Sequence, residues 1–477
     1  MARRSISVKQ RTWLTSQLDD WQSQQLISTD QSSRILDLYE TQTDLAERSR
    51  SKLLLALTGV AAFLIGLAVL LLIGYNWHAM PAAVKLLIIF TVLLGTHAVA
   101  FYLRFVRGFR VFSEVIFFLG CIFFGAAIFL IAQIFHLSGH YPDTVWWWAV
   151  GVLPFALCLE SVLLHALLAA LLAIWCGMEV LGFADSGMWF WGRWGFVPNG
   201  AYSLLLLVIP GFVWAYRRGS LTALWLYVVL LTWWTVIQPF AWRLDESCPM
   251  FVGAVAGLML VIADCHPRGS RLAVPYRELG VLLMAGSLAF LSFHEVNREL
   301  YSRRDYTYGR ATNFRPGPFL GPAGSWALLM ATAIAAVGLL YLASKLQTDE
   351  SPRSIPPHLR LLRTARRLWV PVALTAIMLF MFAWWCLCAG PGVPTILANI
   401  GMVVLAFWLV TTGLHTDSGR MFSAGVVYVL LWAVMRYFDL FAGVGGMLGA
   451  AGIFLVCGLA LFGVAWFWRH RKELQHG

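Results

Sequence analysis

The sequence predicts an all-α membrane protein: a polytopic bundle of about fourteen transmembrane helices behind a short amino-terminal cytoplasmic helical hairpin. Three observations carry this. Of the 477 residues, 60% are hydrophobic and 12% charged, where soluble domains run to roughly 25% charged and 45–50% apolar. Mean hydropathy is +0.72. From Leu53 onward, apolar runs near the ~20 residues that a bilayer requires follow one another closely. A chain this apolar cannot cover its surface with polar groups, so its solvent is largely lipid.

Residues 1–50 form the one sizeable stretch with soluble character. Leu14, Leu18 and Trp21 recur at i, i+4 and i+7, as on one face of a helix, and Ile35, Leu36 and Tyr39 repeat the pattern. Between them Ser28-Thr29-Asp30-Gln31 has the form of a capping box, in which the Ser hydroxyl and the Gln side chain satisfy each other's backbone N–H groups. The expectation is a helical hairpin over about 8–26 and 29–48. Helices this short bury little alone, so the hairpin needs the membrane domain or a partner to rest on.

The apolar runs place spans near 53–75, 82–103, 113–134, 144–159, 161–181, 199–216, 221–242, 248–264, 275–295, 323–344, 368–389, 394–414, 420–440 and 446–468. The fourth is short and only Glu160 parts it from the fifth, which leaves a re-entrant pair open. A signal peptide would put its apolar core in the first 15–30 residues. The first run begins at Leu53, which makes it a permanent span. The transmembrane domain is thus 53–469, followed by a basic cytoplasmic tail, 470–477.

Loop charges set the orientation. Arg48, Arg50 and Lys52 precede the first span; Arg104, Arg107 and Arg110 follow the second. Arg217 and Arg218, then Arg268, Arg271 and Arg277, then Lys345 through Arg367, then Arg469, Arg471 and Lys472 fall on the same side if the count is even. Both termini are therefore expected in the cytoplasm. The net charge of +11 is spread among these clusters. Nucleic-acid binding needs it gathered on one wet face, so no nucleic-acid partner is expected. Trp146, Trp147 and Trp148 at one interface and Trp466 and Trp468 at the other agree with this orientation. One stretch runs against it: 296–322, read as a loop, carries Arg298, Arg303, Arg304, Arg310 and Arg315 among Tyr301, Tyr306, Tyr308 and Phe314.

The eight cysteines lie mostly inside apolar runs, and no spacing suggests a disulfide framework, a metal site or a cofactor. Gly253-x-x-x-Gly257 and Gly445-x-x-x-Gly449 are small-residue pairs of the kind that lets membrane helices approach closely.

Several stretches carry a resemblance. They are Trp21 with Leu26-Ile27-Ser28, Ile35-Leu36 and Tyr39; Gly66 through Gly74-Tyr75-Asn76-Trp77 to Pro81 and Lys85; Ala132-Gln133-Ile134-Phe135-His136-Leu137-Ser138-Gly139; and Arg436-Tyr437-Phe438-Asp439-Leu440. Over about residues 10–160 and 415–470 the chain resembles a family of bacterial predicted membrane proteins, domain of unknown function 2157. The resemblance implies a bacterial inner-membrane protein and hints at an envelope partner. It implies no reaction.

Polar residues expected near the outer surface are the candidate site: Asn76, Trp77 and His78 in the first outer loop, and Gln133, His136, His140 and Asp143 around the next. Gln238, His294, Glu295, Arg436 and Asp439 share that level. Polar groups at membrane depth are costly and face a cavity or one another. Gln133, His136 and His140, spaced by three and four, share a face if the helix continues. The histidines and Asp143 have the chemistry of a proton relay or a divalent-metal site, set against plain interface structure. Arg436 and Asp439, three apart, suit a structural ion pair. His97, His165, Asn399, Glu114 and Glu179 are scattered through other spans.

No phosphate loop, Gly-x-Ser-x-Gly elbow or complete zinc-protease motif is present, since position 298 is Arg where the second His would stand. An enzyme acting on lipid or lipid-linked substrate is therefore the third expectation. A transporter-like, small-molecule-handling protein is the first, and an envelope assembly or sensor component docking through its hairpin is the second.

Overall fold

The computed structural model describes residues 8–39, 81–137, 139–182, 200–242, 244–267, 270–311, 322–346, 364–366, 368–387, 390–415 and 419–441, with scattered positions between 41 and 68. The expected spans 53–75 and 446–468, the loop Asn76–His78 and the pair Gly445/Gly449 lie wholly or largely outside these residues. Within them the regular structure is helical: α1 (Val8–Ser23), α2 (Thr29–Asp37), α3 (Ala82–Phe101), α4 (Arg110–Ile134), α5 (Tyr141–Leu159), α6 (Val162–Gly177), α7 (Leu204–Arg218), α8 (Leu221–Val236), α9 (Cys248–Cys265), α10 (Val274–Leu291), α11 (His294–Ala311), α12 (Pro322–Leu346), α13 (Trp369–Cys386), α14 (Gly392–His415) and α15 (Gly419–Phe441). π-helical turns extend α3 over Tyr102–Val106 and α6 over Met178–Gly182.

Among the described residues, 11 helices are long and apolar enough to cross a membrane. α7, with 15 residues, falls short of a full span. The two helices around Glu160 each reach span length, 19 residues for Tyr141–Leu159 and 21 for Val162–Gly182. Glu160 makes the turn between them in the left-handed region, at φ 54°.

Two compact units divide the chain: residues 1–138 with 158–164, and residues 139–157 with 165–477. In the first, the capping box is formed. The Gln31 N–H donates to Ser28 Oγ at 3.2 Å, and the Ser28 N–H donates to Gln31 Oε1 at 2.9 Å. Leu18 is fully buried, but Trp21 and Trp13 stand exposed, so the apolar face of α1 is narrower than the i, i+4, i+7 pattern implies. α2 stops at Asp37, short of the expected 48. α3 and α4 pack as a hairpin. His97 is half-buried there, Nδ1 2.8 Å from the Leu93 carbonyl oxygen, with Gly120 opposite its ring. At one end of that hairpin Arg104 is the tie. Its guanidinium donates to Glu114 Oε1 at 3.2 Å and to the Leu159 carbonyl at 3.1 Å.

In the second unit α9 is the hub, packed against α10, α13 and α12. Of its apolar length 61% is buried against protein, compared with 11% for Ala82–Val106. Lipid tails compete with apolar side chains, so close backbone approach decides which helices associate. Gly253 and Gly257 supply it inside the chain, since a Cβ at either would strike Met378 or Thr375 of α13.

The stretch 296–322 is not simply a loop. α11 covers its first half, with Glu295 paired to Arg298 at 3.5 Å and Glu299 to Arg303 at 2.8 Å on its exposed face. Asn297 on the other face is fully buried, as Tyr301 nearly is.

Candidate functional site

α4 does not run on through His140. It ends in a Schellman motif: the Leu137 N–H donates to the Ala132 carbonyl at 2.9 Å and the His136 N–H to the Gln133 carbonyl at 3.4 Å. His136 occupies the left-handed position at φ 48°, where Gly or Asn is more usual. The shared face expected for Gln133, His136 and His140 is therefore broken, and Gln133 and His136 are both exposed.

The chain re-enters helix at Tyr141. Pro142 stands in the first turn, where its missing N–H costs nothing. Asp143, also in that turn, donates its N–H to the His140 carbonyl at 3.0 Å. Its carboxylate faces the positive end of the α5 dipole. The far end of α6 returns to the same place. Its π-helical turn carries Glu179, fully buried, and His140 Nε2 lies 2.7 Å from Glu179 Oε2. Both His140 and Glu179 act electrostatically on Asp143. Asp143 Oδ1 is itself buried and has no hydrogen-bond partner among the described residues. An imidazole–carboxylate pair thus forms where α5 starts and α6 ends, with Asp143 near enough to feel both charges. π-helical turns of this kind frequently occur at functional sites.

Neighbouring turns extend the polar layer. The helical turn Gln238–Ala241 packs on the Met178–Gly182 turn. Buried Gln238 donates from Nε2 to the carbonyls of Gly200, at 3.1 Å, and Trp234, at 2.9 Å. The turn Asp245–Ser247 touches Gln238–Ala241 on one side and α11 on the other. Beyond it the chain breaks helix between α10 and α11, and three side chains satisfy the break. Asn297 Nδ2 donates to the Leu291 carbonyl at 2.6 Å and to Thr395 Oγ1 at 3.0 Å. Asn399 Nδ2 donates to the Ser292 carbonyl at 3.1 Å, while Asn399 Oδ1 accepts from Trp432 Nε1 at 3.0 Å. Arg436, nearly buried, donates from Nη2 to Ser292 Oγ at 3.1 Å and lies 5.0 Å from the Phe293 ring centre. The side chain of Asp439, its expected partner, lies outside the described residues.

Among the described residues no three His, Cys, Asp or Glu side chains are placed to hold one metal ion. The arrangement can exchange protons and can accept hydrogen bonds from a donor or cation at Asp143. Sequence reasoning placed His140 and Asp143 in the candidate site but left Glu179 outside it. The available signal was a carboxylate at the end of an otherwise apolar span.

These features define a multi-pass helical membrane protein with a polar layer at the helix ends. The family model described as predicted membrane protein, domain of unknown function 2157, matches residues 19–165. That stretch includes Gln133, His136, His140 and Asp143 and stops before Glu179. No curated protein and no solved structure matches the chain.

Proposed function

We propose that the chain is a transporter-like membrane protein that handles a small polar or cationic solute, or protons, at a site open to the outer face. The observation that carries this reading is the His140–Glu179 pair, with Asp143 Oδ1 buried nearby and without a hydrogen-bond partner among the described residues. A buried ionisable residue in a span is expensive to keep, and such residues mark substrate and proton paths. The helix ends fit the orientation. Within each unit, the polar contacts described join ends that the loop charges assign to one side: Arg104 with Glu114, His140 with Glu179, Gln238 with Gly200 and Arg436 with Ser292. This agrees with the alternation of the spans, and the loop charges then assign the termini to the cytoplasm of an inner-membrane protein.

The test is reconstitution in proteoliposomes, with currents recorded on a solid-supported membrane for alkali cations, primary amines, amino acids and an imposed pH step. Transport of at least one, cut about tenfold or more by Glu179→Gln with insertion unchanged, is the expected result. Currents indifferent to Glu179→Gln and Asp143→Asn would overturn it.

A second reading, an envelope assembly or sensor component, is favoured by one observation. The amino-terminal helices expose Trp13, Trp21 and Leu26, a composition suited to docking.

A further inference from the structure

The helix that ends at Glu179 carries a second polar station near its start. His165 and Glu179 lie fourteen positions apart, about 40° from the same azimuth on a regular helix. Both are fully buried, as are Leu168, Leu172 and Cys176 between them. His165 Nδ1 lies 2.6 Å from Tyr227 Oη. Its ring stacks on Trp214, centroids 4.1 Å apart. Gly211 leaves the room that the Tyr227 hydroxyl occupies.

A tyrosine hydroxyl can donate or accept, and the described partner of this buried hydroxyl is His165 Nδ1. With the hydroxyl hydrogen given to Nδ1, the neutral ring carries its own hydrogen on Nε2. Among the described residues that buried Nε2 has no partner, and neither has buried Trp214 Nε1, which can only donate. One stacked pair of rings thus presents two N–H donors without an acceptor. An unmet buried donor carries the full cost of desolvation, so an acceptor belongs there. The donors exclude a cation or an ammonium group. An anion at this depth would need a compensating charge, and the ring neighbours of His165 are the neutral Trp214 and Tyr227.

We infer that His165 and Trp214 form a binding site for a neutral oxygen acceptor: a water molecule, or the carbonyl oxygen of a small lipid-phase molecule reaching the half-buried Trp214. The site stands independently of the reading proposed above.

The test uses the full-length protein in nanodiscs with ¹⁵N-labelled histidine, the His165 signals assigned by loss in His165→Gln. The expected spectrum has His165 protonated on Nε2 and hydrogen-bonded, with the Nε2–H resonance displaced in Trp214→Phe. A cross-peak from Nε2–H to water identifies water as the occupant. A shift on adding benzophenone to the bilayer, with loss of any water cross-peak, identifies a lipid-phase carbonyl. Tyr227→Phe, which keeps the ring and removes the hydroxyl, should release Nδ1 and make the proton divide between the two nitrogens. A proton on Nδ1 in the wild type would overturn the proposal. So would an Nε2–H that shows neither water contact nor response to the ketone.

Discussion

His140 Nε2 sits 2.7 Å from Glu179 Oε2 across 39 positions of sequence, and Glu179 is wholly buried. That contact sets the start of α5 beside the end of α6. Glu179→Leu removes the acceptor and strands the imidazole, at a cost of roughly 1–3 kcal/mol. Glu179→Gln keeps an acceptor oxygen and should cost about 1 kcal/mol or less. Thermal unfolding in detergent by size-exclusion chromatography should rank wild type above Gln above Leu. A Leu variant as stable as wild type would mean that the pair holds nothing together.

The amino-terminal capping box gives a local test. Ser28→Ala should destabilise α2 by ~0.5–2 kcal/mol, read as faster amide exchange over residues 29–33, with membrane insertion unchanged. Unaltered exchange would remove the cap from the account of the hairpin.

Gly253 and Gly257 are not equivalent. At Gly257 an added Cβ meets the Thr375 side chain and comes within 3.1 Å of Thr375 Cα, which is backbone. At Gly253 it meets only the flexible end of Met378. Overpacking typically costs 1–3 kcal/mol, so Gly257→Ala should be near the top of that range and Gly253→Ala near the bottom. Midpoints of thermal unfolding for the two variants should differ in that order. The reverse order would relocate the α9–α13 crossing.

Arg104 serves two acceptors with one fork, Glu114 Oε1 and the Leu159 carbonyl. Arg104→Lys keeps the charge but cannot hold both in that geometry. Glu114 is 37% exposed, so solvent screens the pair and the loss should be about 1 kcal/mol or less. A double-mutant cycle with Glu114→Gln measures it, and a coupling well above that would place the pair in a drier setting.

Much of the fold was legible because bilayer thickness and loop charge impose one period on the whole chain. The span boundaries from α3 to α15 are mostly within a few residues of the apolar runs. The capping box was legible because it is a contact between residues three apart. The helical half of 296–322 was missed although its signal was present, as Glu299 and Arg303 sit at i and i+4. Polarity was taken for a loop where it marks one face of a helix. Two features of the site were not legible. Nothing local announces that α4 stops at Phe135, because His136 adopts a left-handed conformation with no glycine to advertise it. The partnership of Glu179 with His140 depends on where two helices end in space, which apolar periodicity does not encode. The Gly253/Gly257 pair was visible, but its partner was a helix of the same chain.

The most direct test of a polar site open to the outer face is cysteine accessibility in intact cells. Tyr141→Cys, beside His140, and Ser270→Cys, at the opposite end of the neighbouring spans, are made in a background without the native cysteines. A membrane-impermeant thiol reagent should label position 141 from outside and position 270 only after permeabilisation. Labelling of 270 in intact cells, with 141 protected, would contradict the orientation and with it the outward-facing site.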